Sequence, residues 1–492
     1  MYWGRRLLFA CLATLLVACS ASTQPGARAE LAGATDASSG ADVAVEVDAD
    51  IARGSDAGGP EYAAFADAYD AYGWLVGKLR AGEADAEFDA RFEAAAALLF
   101  VDRDEREAVL AQVADRDAVL DLTAVYEPLM RARPNADLLY AWVAKELHRD
   151  DTGAGSRRGS GFAWRDSYAL EAALLGYEAT GQERFLVSAR DRMLGMLDHR
   201  DDVLGRVDEH RERVLKAWGT DHLDPDGRHY NVVTHAGRIA APMAWYAWLV
   251  AQDPELGDEH ADAAARLVAA AQEALLEFDD ELVVADDGSY AYYWRSTHDR
   301  IDPVNHQTSV GEALVYLAAL SDDPYWELRA TQTAAFVRQV MYYEDDGTVA
   351  WQYAARPEDP LGSRPEPIWK SQITIRFLRH AERLGVGFDA EDLAAVAESF
   401  RVNVLRDGSE RNAMFAAELV ALDRREDHRY GGPNNLTPHL LLGAYHDDLH
   451  EQLFDIIVSE PAVGGWFAHG KTAAAYAYVL DRAGPADVVA AG

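Results

Sequence analysis

Hydrophobic and polar positions after residue 160 follow one course four times: an aromatic and polar loop, an Ala- and Leu-rich helix, a short acidic turn, a second helix, and another aromatic loop. The four pairs begin near Ser167, Gly237, Gln307 and Ile368, a spacing of about 60 to 70 residues that marks an array of helical hairpins. In the second pair, and likewise in the third, the first helix is apolar nearly all round, as in IAAPMAWYAWLVAQ from Ile239, and this predicts an inner helix walled on both sides. The second helix, as in Glu259 to Phe278, alternates apolar and charged positions at helical spacing and predicts an outer helix with one wet face. The remaining pairs run Tyr168–Tyr177 with Phe185–Leu197, Thr308–Leu320 with Tyr325–Met341, and Trp369–Leu384 with Leu393–Leu405. Asp322 or Asp323 is placed to cap the helix that Pro324 opens. A fifth pair is expected at Leu440–Asp448 and Leu453–Val458. Helices at Tyr62–Arg80, Phe88–Leu99, Glu105–Ala114 and Leu138–His148 are expected to pack on or close the ring. The pattern predicts an all-α fold, an (α/α) toroid or incomplete barrel of hairpins with an N-terminal helical extension.

The domain organisation that follows is 1–18 an export signal, 19–59 a tether, 60–158 the helical extension and 159–485 the toroid. Arg5-Arg6 precede an apolar run, Leu7 to Val17, that is too short to span a membrane and ends in Leu16-Val17-Ala18-Cys19. That box resembles a bacterial lipoprotein signal. The resemblance implies that Cys19 is acylated and becomes the first mature residue, and Ser20 behind it resembles the class sorted to the outer membrane. Residues 20 to 59 are Ala, Gly, Ser and Asp with hardly a large apolar side chain, too little to offset the entropy of ordering them. A flexible chain of about 40 residues reaches about 35 Å end to end, enough to hold a globule off a lipid surface. Beyond Cys11 and Cys19 the chain has no cysteine, which excludes disulfides, thiolate metal sites and a cysteine nucleophile in the folded part.

A net charge of −37 excludes nucleic-acid binding, which needs basic surface to neutralise phosphates. Most of the acid lies on hairpin turns and outer faces, whereas Arg228, Arg238, Arg295, Arg300, Arg356, Arg364 and Lys370 lie in or beside the inter-hairpin loops. Such a locally basic cavity suits an anionic ligand. The loops Trp218–His235, Tyr290–His306 and Trp351–Lys370 gather Trp, Tyr, His, Asn and Arg where connectors are ordinarily Gly, Ser and Asp. In a ring of hairpins they meet around one cavity.

The run Tyr290-Ala-Tyr-Tyr-Trp294, then Pro303-Val-Asn-His306, then Gly311-Glu-Ala-Leu-Val-Tyr-Leu317 resembles exported bacterial toroids that act on uronates. These include the toroid domains of polysaccharide lyases and glucuronyl epimerases, in a six-hairpin, glycosidase-like arrangement. The resemblance covers about residues 160–410. It departs at Glu366-Pro-Ile-Trp-Lys-Ser371, where it would lead one to expect a histidine. It implies an acidic polysaccharide as partner, and lyase-type proton abstraction beside a carboxylate followed by elimination, which needs a base, an acid and groups that neutralise the carboxylate. His235, Tyr293, His306, Asn305 and Arg295 are the candidate catalytic residues, with His298 in the same loop. Trp164, Trp218, Tyr230, Asn231, Arg238, Trp294, Trp351 and Lys370 are the candidate saccharide contacts. His235 and His306 are placed just before inner helices, where a histidine equally serves as a structural anchor.

Two other chemistries fit the same residues. Hydrolysis needs two carboxyl groups across a sugar cleft, and Asp166, Asp221, Asp302 and Glu366 begin loops or precede inner helices. A lipoprotein that binds saccharide without turning it over needs only aromatic walls and satisfied polar groups. No cofactor is implied. Asp221, Asp224 and Asp226 loosely resemble a calcium loop that lacks the later glutamate, and His222, His229 and His235 lack the helix-borne spacing of a zinc site. The Gly431 to Asn435 run, flanked by His428 and His439, is a candidate for closing the cavity.

Overall fold

Leu, Ala and aromatic residues at helical spacing fold as the pattern predicts. A computed structural model describes residues 64–81, 86–99, 135–148, 158–224, 226–295, 299–345, 347–405, 433–459 and 470–483, all within the unit Gly58–Gly492. The export signal, Cys19, the tether, the helix expected at Glu105–Ala114, His298, His428 and the Gly431-Gly432 end of the closing loop lie outside the described residues.

The helices are α1 Ala68–Ala81, α2 Ala86–Leu99, α3 Ala136–Leu147, α4 Ser167–Thr180, α5 Glu183–Leu197, α6 Val233–Gln252, α7 Asp258–Leu276, α8 Val304–Leu320, α9 Pro324–Val340, α10 Ile368–Arg383, α11 Ala390–Ser399, α12 Asp447–Ser459 and α13 Gly470–Ala483. A 3-10 helix, Thr437–Ala444, stands before α12 where the fifth pair was expected to begin. Contacts run α4 to α6, α6 to α8, α8 to α10, α10 to the 3-10 helix, that helix to α13, and α13 back to α4. The inner ring is therefore closed among the described residues. Helices α5, α7, α9, α11 and α12 pack outside it, and α3 lies against α4, α5 and α13, so the N-terminal extension helps to close the ring.

Small residues let the inner helices approach. A Cβ on Gly237 of α6 would stand 2.7 Å from the Val310 backbone nitrogen of α8, and one on Gly311 of α8 would stand 2.6 Å from the Phe377 ring of α10. Asp323 accepts from the Tyr325 N–H at 3.0 Å and caps α9, as expected.

Two inner helices begin earlier than predicted. Helix α6 starts at Val233 and α8 at Val304, so His235 and His306 are in the first turns rather than before them. First-turn N–H groups have no intrahelical acceptor, so polar side chains are tolerated there and the apolar pattern starts late.

Among the described residues, strands occur only as short ladders in the loops at the N-terminal ends of the inner helices. They are β1 Val207–Asp208 with β2 Arg213–Val214, β3 Leu282–Val284 with β4 Ala291–Arg295 and β5 Arg300–Ile301, and β6 Met341–Tyr343 with β7 Val349–Trp351, all antiparallel. The Tyr353 carbonyl accepts from Val304 N–H at 2.8 Å, so the loop leading to α10 also caps the start of α8.

The bore is filled by paired charges. Arg376 of α10 donates to Glu312 of α8 through Nη2 at 2.7 Å and Nε at 3.0 Å, and through Nη1 to Glu171 of α4. Arg238 of α6 donates to Ser167 Oγ at 2.7 Å and lies 4.6 Å from the centre of the Tyr168 ring. Burial, with Glu171 nearby, pushes the Glu312 carboxyl well above the usual range.

Candidate active site

The first turns of α6, α8 and α10 meet at one rim of the toroid and bring His235, His306 and Lys370 to equivalent positions, each the third residue of its helix. Each ends a matching five-residue run: Asn231-Val-Val-Thr-His235, Asp302-Pro-Val-Asn-His306 and Glu366-Pro-Ile-Trp-Lys370. A fourth, Asn435-Leu-Thr-Pro-His439, enters the 3-10 helix. This recurrence is the signal that a search for single motifs passes over.

Before α4 the chain takes a π turn, Phe162–Asp166, and Trp164 in that turn donates to His235 Nε2 at 3.0 Å. An indole N–H only donates, so Nε2 holds the lone pair and Nδ1 the proton. Burial holds the His235 pKa down to about 3, so the ring is neutral. Its Nδ1 has no hydrogen-bond partner among the described residues.

His306 is the mirror case. Arg295 Nη2 donates to its Nδ1 at 2.7 Å, and Asp302 Oδ1 lies 2.5 Å from that guanidinium nitrogen and 3.3 Å from the imidazole. Because Arg cannot accept, the His306 proton sits on Nε2. Burial lowers its pKa to about 4 against the opposing pull of Asp302. Burial alone would raise Asp302, but the adjacent Arg295 guanidinium holds its carboxyl below the ordinary range. Antiparallel pairing of Arg295 with Arg300 brings β4 alongside the strand that leads into Asp302.

Glu366 is completely buried. Its Oε2 accepts from Trp351 Nε1 at 2.5 Å and Thr374 Oγ1 at 2.9 Å, while Oε1 completes no hydrogen bond of good geometry among the described residues. Burial pushes the carboxyl up to about 7, opposed by Trp351, Thr374 and the nearby Lys370 ammonium. Lys370 itself donates to the Tyr353 hydroxyl at 2.5 Å and lies 4.0 Å from the centre of that ring. Tyr353 was not among the predicted site residues, since nothing in its loop distinguishes it from other tyrosines.

Thr234 Oγ1, His235 Nδ1, Asn305 Oδ1 and Glu366 Oε1 are all buried on this rim without a hydrogen bond of good geometry among the described residues. Each such atom costs about 1 to 3 kcal/mol unless something meets it. Water or ligand hydroxyls in this layer would meet them.

Other predicted residues do different work. Tyr293 of β4 is buried, and its charged neighbours are Tyr325 and Arg329 of α9 with Asp279 and Glu281, so its hydroxyl is on the outer-helix side, away from His306. Its backbone matters instead: Gln307 accepts from Tyr293 N–H at 2.7 Å and donates to its carbonyl at 2.8 Å, pinning β4 to α8. Trp218 and Trp351 are buried and donate to the Met196 carbonyl and to Glu366, so neither offers a ring face to a sugar. Arg238 is fully enclosed in the bore rather than lining a loop. Tyr230 is buried against the edge of His210, and Asn231 donates to Asp201 Oδ2 at 2.9 Å, so both brace the loop. Trp164, Trp294 and Trp369 are half-exposed indoles at the rim, with Arg356 5.3 Å from the Trp294 ring centre and the Lys370 ammonium 4.7 Å from that of Trp369.

Asp166 is locked between Arg192 and Arg165. Asp224 is held by His210 at 2.7 Å and Arg228 at 3.1 Å, so its carboxylate is already engaged within the loop that contains Asp221 and Asp226. Among the described residues no group of three or more His, Cys, Asp or Glu side chains is placed to hold a metal ion.

No protein-family model matches the chain. No curated protein matches it. Among solved structures, an inactive variant of an alpha-1,6-mannanase of Salegentibacter sp. HEL1_6, in complex with alpha-1,6-mannotetrose, is similar at a TM-score of 0.40 and 12% identity, covering 70% of this chain and 98% of that chain.

Proposed function

We propose that this toroid is a carbohydrate-active enzyme that cleaves a glycosidic bond at the rim of its inner helices, with Glu366 as the proton donor. The observation that carries the reading is the state of Glu366, a buried carboxyl raised to about 7 beside a belt of unpartnered polar atoms. Asp302, at the matching position one helix earlier, is held ionised by Arg295. Environments that push two carboxyl groups apart in this way supply the protonated and ionised partners that glycoside hydrolysis uses. Glu366 gives its proton to the leaving oxygen as the glycosidic C–O bond breaks, water adds to the anomeric carbon, and the Asp302 carboxylate balances the positive charge that develops there and takes the proton the water releases. Trp164 and Trp294 supply apolar faces for sugar rings.

The elimination expected from the sequence needs an open lone pair to take the sugar's proton. His235 and His306 do not offer one, since the unprotonated nitrogen of each is already bonded to Trp164 or Arg295. One contact favours a second reading. Lys370 beside the Tyr353 hydroxyl stabilises a phenolate, which is a base suited to elimination on a uronate.

The test is to incubate the protein with neutral and uronate polysaccharides and follow reducing ends and the ultraviolet absorbance of unsaturated uronate together. New reducing ends without absorbance, lost in Glu366→Gln, are expected. Absorbance lost in Tyr353→Phe would install the elimination reading, and binding without either signal would make the protein a saccharide binder. The N-terminal box further supports a lipid anchor at the bacterial outer membrane; fatty-acid labelling that persists in Cys19→Ser would overturn it.

A further inference from the structure

We propose that the small axial pocket beneath the rim is an anion subsite that seats the carboxylate of a sugar acid, with Lys471 and Tyr478 as the groups that recognise it. This deepens the reading above and rests on its saccharide ligand. The pocket is lined by Tyr168, Glu171, Gln372, Arg376, Lys471 and Tyr478, with apolar side chains completing the wall. It lies at the same end of the toroid as the rim. Gln372 is two residues beyond Lys370, and Lys471 is the second residue of α13. It has room for about one oxygen-sized group and not for a whole ring, which fits one oxygen of a carboxylate projecting from a sugar held above it.

Two features point to an anion. The first is charge: Arg238 and Arg376 stand in the bore with Lys471 at its mouth, facing the carboxyls of Glu171 and Glu312. Arg376 already meets Glu171 on one side and Glu312 on the other, and among the residues that line the pocket the two cations, Arg376 and Lys471, face one carboxyl, Glu171. The balance inside the pocket is therefore positive, and Lys471 is the half-exposed cation that a ligand reaches first. The second is an incompletely satisfied donor: the Tyr478 hydroxyl is buried in the pocket wall on a residue 7% exposed, it completes no hydrogen bond of good geometry among the described residues, and the carboxyl beside it, Glu171, is already taken up by Arg376. A buried phenol without a well-placed acceptor is costly, and an incoming carboxylate oxygen removes that cost. Gln372, whose amide donates to Tyr168 at 3.3 Å, spans the pocket between α10 and α4 and fixes the spacing of its walls.

The probes are a uronate tetrasaccharide and the same tetrasaccharide with its carboxylates reduced to alcohols, each titrated calorimetrically into the full chain carrying Glu366→Gln, which prevents turnover. The acidic probe is expected to bind about tenfold more tightly, the worth of one charge-assisted contact. Lys471→Met is expected to bring the two probes to equal affinity without weakening the reduced one, Lys471→Arg to keep the preference, and Tyr478→Phe to cut it severalfold. The inference is overturned if the two probes bind alike, if neither binds, or if Lys471→Met keeps the full preference while Lys370→Met abolishes it. Retention of the thermal melting curve in Lys471→Met confirms that the variant is folded. If the native chain produces no new reducing ends but this pattern holds, the cleavage reading fails and the subsite stands.

Discussion

Replacing Glu366 by Gln separates the physics of this site from its packing, because the same buried proton controls stability and rate. The carboxyl is fully enclosed, and its pKa rises from an ordinary 4.5 to about 7 on folding, chiefly through burial. Below pH 4.5 both folded and unfolded chains hold the proton, and this group makes stability independent of pH. Between there and about 7 the unfolded chain releases the proton while the folded chain keeps it, so stability falls as pH rises; above that both are ionised and the loss is complete. At about 1.4 kcal/mol per pH unit the loss comes to about 3 kcal/mol. Glu366→Gln has no proton to release. Its amide oxygen still accepts from Trp351 and Thr374, so the variant's stability relative to the native chain is expected to improve by about 3 kcal/mol between about pH 4.5 and about pH 8. Urea unfolding followed by tryptophan fluorescence measures both chains at both pH values. Profiles that stay parallel to within about 0.5 kcal/mol would refute the buried, proton-holding carboxyl. The rate carries the same signature. Activity is expected to fall as pH rises through about 7, where Glu366 loses its proton, and to persist on the acid side until Asp302 is protonated, below its ordinary 3.8.

Four further outcomes follow from other parts of the fold. Gly237→Ala drives a methyl against the Val310 backbone, which cannot yield as a side chain would, and should cost about 1 to 3 kcal/mol in thermal melts. Gly195→Ala, in α5 with open space around it, should be neutral or gain up to about 1 kcal/mol. Arg376→Met strands Glu171 and Glu312 in the bore and should cost about 3 to 5 kcal/mol, much of it recovered when both glutamates are also changed to Gln; equal melting of the single and triple variants would contradict the network. Tyr293→Phe should leave activity unchanged, since the hydroxyl is on the α9 side, and a large loss of rate would return it to the site.

The architecture was legible because burial on all sides writes itself into composition. Helices α4 and α6 are apolar nearly all round and α7 is apolar on one face, and these patterns alone separate inner from outer helices. His235, His306, Asn305, Arg295 and Lys370 were found as an unusual concentration of polar and aromatic residues in the loops, and the fold brings their elements to one rim. Trp218, Trp351 and Arg238 were misread because a large side chain in a loop looks the same in sequence whether it faces a cavity or anchors a wall. Tyr293 went the same way, as alternate residues of a short strand point to opposite sides and the direction is decided by what packs behind.

From residue order alone came the helical hairpins, the inner and outer faces, the acidic exterior and the concentration of chemistry in the connecting loops, because these depend on local periodicity and composition. Only the closed ring decided which nitrogen of each histidine carries a proton, that Glu366 is the carboxyl kept protonated and Asp302 the one kept ionised, and that Lys471 and Tyr478 share a pocket with Arg376. Protonation and pairing depend on burial and on neighbours from other helices, some of them about a hundred to three hundred positions apart in the chain, and no local pattern records them.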